Sequence, residues 1–121
     1  MFECVIPILR VRSLAASIDY YRDVLGFGVD WHEPGVMASV SRNGRAIMLC
    51  EGGQGNPGTW VWIGVSDASI LFAEYTAKGA IIRRAPTNFR WAYEMNVEDA
   101  DGHALRLGSE PREDQPFADW G

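Results

Sequence analysis

Apolar and polar residues alternate along much of the chain, and twice the alternation gives way to a helical period. The first segment, "ECVIPILRV", puts Val5, Leu9 and Val11 on one face with Pro7, and Ile6, Ile8 and Arg10 on the other. A period of two marks a strand, and apolar residues on both sides predict cover on both faces. Pro7 has no amide hydrogen to donate, which predicts an edge position or a bulge. In "RSLAASIDYYRDVLGFG" the period lengthens. Leu14, Ile18, Tyr21 and Leu25 form one helical stripe, Ser13 suits the N-cap and Gly26 the terminating position. Three short strands follow over about 27–32, 36–42 and 45–51, with "EPG" and "RNG" as their turns. Asn43-Gly44 is a hairpin signal.

"GGQGNPG" (52–58) interrupts the pattern, which then restarts. "TWVWIGV" is a strand, and "SDASILFAEYTAKGA" is a helix capped by Ser66 or Asp67 and ended by Gly79. "IIRRA", "WAYEMNVE" and "HALRLGS" are strands, joined by a "PTNFR" loop and a "DADG" turn. The order strand, helix, three strands thus occurs twice. It predicts an α+β fold of two βαβββ modules within one domain, 1–121. Module 1 covers about 1–52, a linker 52–58, module 2 about 59–110 and a tail 111–121. One helix covers the outer face of each sheet, and the inner faces form a cup. A single ferredoxin-like sheet is the competing architecture, but it leaves strands unassigned.

Composition narrows the function. The chain is 47% hydrophobic and 22% charged, as expected of one globular domain. No apolar run has bilayer length, and "MFECVIPILR" lacks the features of a secretion signal, so a cytoplasmic protein without membrane partners is expected. A net charge of −5 argues against nucleic acid as a partner and permits a cationic ligand. Cys4 and Cys50 form no CxxC pair and read as reduced, buried thiols. His32 and His103 fall in turns and read as exposed.

"VRSLAASIDYYRDVLGF" and "DADGHALRLGS" resemble the opening and closing signatures of the vicinal-oxygen-chelate superfamily, also called the glyoxalase/bleomycin resistance protein/dioxygenase family. That resemblance implies paired βαβββ modules and a homodimer. In the metal-dependent members it implies a divalent ion held by His, Gln or Glu from the first and last strands of each module. Carried onto this chain, the four positions are Ile6, Leu49, Trp60 and Arg106. Ile and Leu offer no lone pair, the indole N–H only donates, and Arg stays protonated. No metal and no other cofactor are expected.

Strand parity places Arg10, Glu51, Trp60, Trp62, Glu94 and Arg106 on the cup face, beside Ile6, Ile8, Ile47, Leu49 and Asn96. With Trp31 on a strand-end loop and Trp91 after a polar loop, Trp60 and Trp62 are expected to form an aromatic box that stacks flat rings and binds cations. A charge such as Arg106 in an apolar cup needs a partner. Glu94 and Glu51 are the candidates, and the hairpin between the last two strands favours Glu94. The resemblance then implies a metal-free, bacterial, bleomycin-resistance-type protein that sequesters a planar small molecule. That ligand is a cationic glycopeptide antibiotic or, given Arg10 and Arg106, an acidic compound. The alternatives are a glyoxalase-like lyase or isomerase, or a dioxygenase-related enzyme with a degenerate metal site, using Glu94 as a general base, and a module whose cup is filled by its own side chains. The tail "SEPREDQPFADWG" either reaches a partner subunit through Phe117 and Trp120 or stays unstructured.

Overall fold

A computed structural model describes residues 1–119. The chain divides into two compact units. The first holds Met1–Thr59 with the Asp99–His103 turn, and the second holds Trp60–Glu98 with the chain from Ala104 onward.

The first unit contains β1 (Ile8–Val11), α1 (Leu14–Asp23), β2 (Gly28–Glu33), β3 (Met37–Arg42) and β4 (Arg45–Glu51). Its sheet has the order β1-β4-β3-β2, with β1 parallel to β4 and the other pairs antiparallel. Pro7 precedes the edge strand β1, where a missing amide hydrogen costs nothing, and its carbonyl accepts from the Met48 amide at 3.0 Å. Leu14, Ile18 and Tyr21 bury the stripe of α1 as expected, and Ser13 caps it. Asn43 and Gly44 both take positive φ, as a primed hairpin turn requires.

The second unit repeats the plan with β5 (Trp60–Gly64), α2 (Ala68–Ala77), β6 (Ile81–Asn88), β7 (Tyr93–Glu98) and β8 (Ala104–Ser109). Its sheet order is β5-β8-β7-β6. Asp67 is the cap of α2, its carboxylate accepting from the Ser69 amide at 2.8 Å. Strand β6 runs on through "PTN", expected as loop. Register shifts between Ile82 and Arg84 and between Arg84 and Thr87 absorb the extra residues.

Register corrects the reading of β4. Leu49 pairs with Leu9 and Ala38, and Glu51 with Val11, so these side chains and Ile47 share the helix-covered face. Met48 and Cys50, paired with Ile8 and Arg10, occupy the open face instead. The apolar run "AIMLC" carries no parity signal of its own, and a slip of one residue exchanges the faces. Glu51 is a structural group: its Oε2 accepts from the Leu14 amide at 2.8 Å, satisfying a free donor at the start of α1.

Three other expectations change. Cys4 is exposed, while Cys50 is buried. His103 is fully buried rather than exposed: Nδ1 accepts from the Thr59 amide at 3.0 Å, and Nε2 lies 2.6 Å from the Arg10 carbonyl. The first of these bonds fixes the proton on Nε2, which then donates to Arg10. Asp99 supports the same turn, its Oδ2 accepting from the buried Tyr21 hydroxyl at 2.8 Å. Burial and the Asp99 charge both push the Tyr21 hydroxyl above its ordinary pKa. The tail folds back on its own unit. Buried Asn88 donates to the Arg112 carbonyl and accepts from the Arg112 amide, both at 2.8 Å, and Arg90 lies over the Phe117 ring at 5.0 Å. Trp120 lies outside the described residues.

Candidate functional site

In the second unit the β5–β8 and β8–β7 pairings follow the predicted alternation. Val61, Ile63, Leu105, Leu107, Met95 and Val97 share the face that α2 covers. The opposite face carries Trp60, Trp62, Glu94, Asn96 and Arg106. Each strand there alternates cleanly, so its side chains could be sorted without knowing the neighbours.

On that open face lies a cavity of about 470 Å³, lined by Trp60, Arg83, Arg84, Phe89, Trp91, Glu94, Met95, Asn96 and Arg106. Glu94 and Arg106 form the expected ion pair, and it is bidentate. Arg106 Nε donates to Oε2 at 2.9 Å and Nη2 to Oε1 at 3.1 Å. The Trp91 indole N–H donates to Oε1 at 2.6 Å. Burial alone would raise the Glu94 carboxyl. The hydrogen bonds from Arg106 and Trp91 and the Arg106 charge outweigh it, so the carboxyl sits below its usual range. Glu94 is therefore a fixed carboxylate that positions two cavity walls.

The rest of the lining is aromatic and cationic. Phe89 and Trp91 stack with centroids 4.6 Å apart and planes within 7°. Arg84 lies over Phe89 at 5.3 Å and Arg83 over Trp60 at 5.6 Å. Trp60 and Trp91 remain 60% and 42% exposed, which leaves aromatic surface for a ligand. Trp62 stands beside the cavity with its ring laid over Gly108 and Gly64. A Cβ on Gly108 would come within 2.8 Å of Trp62 Cζ2, so glycine is needed for the ring to lie flat.

The second unit thus brings together Trp60, Trp91, Glu94 and Arg106, with Trp62 adjacent. The other three expected site residues belong to the first unit. Trp31 is exposed on the edge strand β2. Arg10 and Glu51 border a separate cavity of about 760 Å³ with Arg12, Pro57 and Asp101, and Glu51 there is committed to α1. Sequence reasoning missed Arg83, Arg84 and Phe89. Its signal was the dense "RRAPTNFRW" stretch, which places two aromatic residues two apart behind paired arginines.

Among the described residues, no group of three or more His, Cys, Asp and Glu could hold a metal ion. No helix among them is long and apolar enough to cross a membrane.

A profile of the Glyoxalase/Bleomycin resistance protein/Dioxygenase superfamily matches residues 4–107. No curated protein sequence matches. Among solved structures, TioX from Micromonospora sp. ML1 superposes with a TM-score of 0.80 at 21% identity, over 90% of this chain and 99% of that one. TnmS3, an antibiotic-binding protein from Streptomyces sp. CB03234, gives a TM-score of 0.75 at 19% identity, over 93% and 99% of the two chains. The bleomycin-binding protein of Streptomyces verticillus, solved with copper(II)-bleomycin, gives 0.72 at 19% identity, over 90% and 97%. At these identities the likeness establishes the fold.

Proposed function

Because the chain belongs to the glyoxalase/bleomycin resistance protein/dioxygenase superfamily, we propose that it acts as a metal-free binding protein that sequesters a planar small molecule in the second-unit cavity. The observation that carries this reading is the lining itself. Exposed Trp60 and Trp91, the latter stacked on Phe89, offer flat faces around a space large enough for a multi-ring ligand. Two of the similar folds are described as binding antibiotics, which fits the same use of the scaffold.

The residues do not fit the divalent ion of the metal-dependent members. Of the positions the resemblance carries over, Ile6 and Trp60 have no lone pair to give. Leu49 faces α1, and its open-face neighbour Met48 offers only a thioether. Arg106 is a cation tied to Glu94. Hard divalent ions need oxygen or imidazole donors. A metal-free isomerase using Glu94 is also disfavoured. A general base works best with a pKa near the working pH, and Glu94 is held down by its partners.

The cavity differs from a seat for a cationic glycopeptide. Its lining carries three arginines and one glutamate, so it is locally positive although the chain carries −5. A cytoplasmic homodimer remains part of the proposal. The edge strand β2, exposed along its length with Val29 and Trp31, is the kind of edge that subunit pairing covers. Calorimetric titration with 2-naphthamide, a neutral planar probe, tests the binding reading. Binding that Trp91→Ala weakens about tenfold or more supports it, since stacking contributes on the order of 1–3 kcal/mol. Binding that Trp91→Ala and Trp60→Ala both leave unchanged would place the ligand elsewhere.

A further inference from the structure

We propose that the second-unit cavity selects planar aromatic ligands carrying an anionic group, a carboxylate or sulfonate. The inference rests on the binding reading above and adds the charge of the ligand.

Its basis is one row of side chains. Arg84 on β6 pairs with Asn96 on β7, Asn96 with Arg106 on β8, and Arg106 with Trp62 on β5. Neighbours in such a row stand about 5 Å apart on one face of the sheet. Two guanidinium groups therefore flank one amide, next to an indole. Their charges are not equally committed. Arg106 spends Nε and Nη2 on Glu94 and leaves Nη1 without a hydrogen bond among the described residues. Arg83 is held by Glu98 at 2.6 Å. Arg84 has no carboxylate partner among the described residues and rests only on the Phe89 ring. With Glu94 balanced by Arg106 and Arg83 by Glu98, one positive charge in the lining is left uncompensated.

Asn96 Oδ1 is buried without a hydrogen-bond partner among the described residues. An amide oxygen accepts and needs a donor, which a carboxylate or sulfonate lacks, so recognition of the anion falls to the arginines beside it. The row thus presents the uncompensated Arg84 guanidinium and the remaining Nη1 of Arg106 at the wall, while Trp60 and the Phe89–Trp91 stack supply flat surface. Guanidinium groups bind carboxylates and sulfonates through charge-assisted, geometrically matched hydrogen bonds. An aromatic acid satisfies both halves of this cavity at once. A planar cation would meet Arg84 and Arg106 head on.

Three probes of one shape provide the test: 2-naphthoate, 2-naphthamide and 2-naphthylmethylammonium, each titrated calorimetrically into the full chain. The expected result is naphthoate binding about tenfold tighter than naphthamide, with the ammonium weakest. Arg84→Gln should remove most of the naphthoate preference, and Arg84→Lys should retain only part of it, because the charge stays and the planar fork is lost. Arg84 is exposed on an edge strand, so both variants are expected to fold. Naphthoate and naphthamide binding equally, or the ammonium binding best, would overturn the anion inference while leaving the cavity as a binding site. No binding by any of the three would overturn the underlying reading as well.

Discussion

Replacing Arg106 by Met keeps the length of the stem and removes the charge. The carboxylate of Glu94, whose side chain is 6% exposed, then loses two hydrogen bonds and its counter-charge and keeps the Trp91 N–H. Removing one member of a buried pair costs about 3–5 kcal/mol, because the other charge stays desolvated. Arg106 is 34% exposed, so solvent screens the pair and the expected cost is lower, about 2–3 kcal/mol at pH 7. The pH dependence has a definite sign. The folded Glu94 carboxyl titrates below its unfolded value of about 4.3. The stabilisation is therefore complete above that unfolded value and is lost as pH falls through the lower folded one. Urea denaturation of parent and Arg106→Met proteins should show the full gap at pH 7 and a gap that shrinks as acidification protonates Glu94. Adding Glu94→Gln should recover part of the loss, because no charge is then stranded. A gap below about 0.5 kcal/mol at pH 7, or one that does not change with pH, would refute the reasoning.

Gly108→Ala forces Trp62 from its seat, since the new methyl would stand 2.8 Å from the indole. Overpacking of this kind costs about 1–3 kcal/mol, and a shifted tryptophan emission maximum should report the moved ring. Glu51→Ala removes an acceptor at the start of α1 and should cost about 1 kcal/mol in thermal denaturation. The same variant should leave ligand affinity unchanged, which separates its structural role from the site role that strand parity suggests.

Legibility in the sequence followed the strength of local patterning. "TWVWIGV" and "ALRLGS" alternate without interruption, so the open face of the second sheet and the Glu94–Arg106 pair could be read from parity and one hairpin. "AIMLC" offers five apolar residues in a row, and only pairing with β1 and β3 decides which of them face α1. His103 shows a second kind of limit. Turn residues are ordinarily exposed, and this turn is buried by bonds to residues far away in the sequence, Thr59 and Arg10. The bulged strand β6 hid Arg83 and Arg84, and Phe89 just after it, because a bulge shifts which residues face the cavity and "PTNFR" reads locally as a loop. Both helices and their caps were legible because capping is a local affair of Ser13 and Asp67.

A planar ligand among the tryptophans of the second unit, bound without a metal ion, has a direct spectroscopic signature. Indole N–H signals of the uniformly ¹⁵N-labelled protein, followed by NMR during titration with 2-naphthamide in the presence of a chelator, test it most directly. The Trp60, Trp62 and Trp91 signals are expected to move together, Trp31 to stay in place, and the affinity to be unchanged by the chelator. Shifts confined to Trp31, or binding that appears only when a divalent ion is restored, would contradict it.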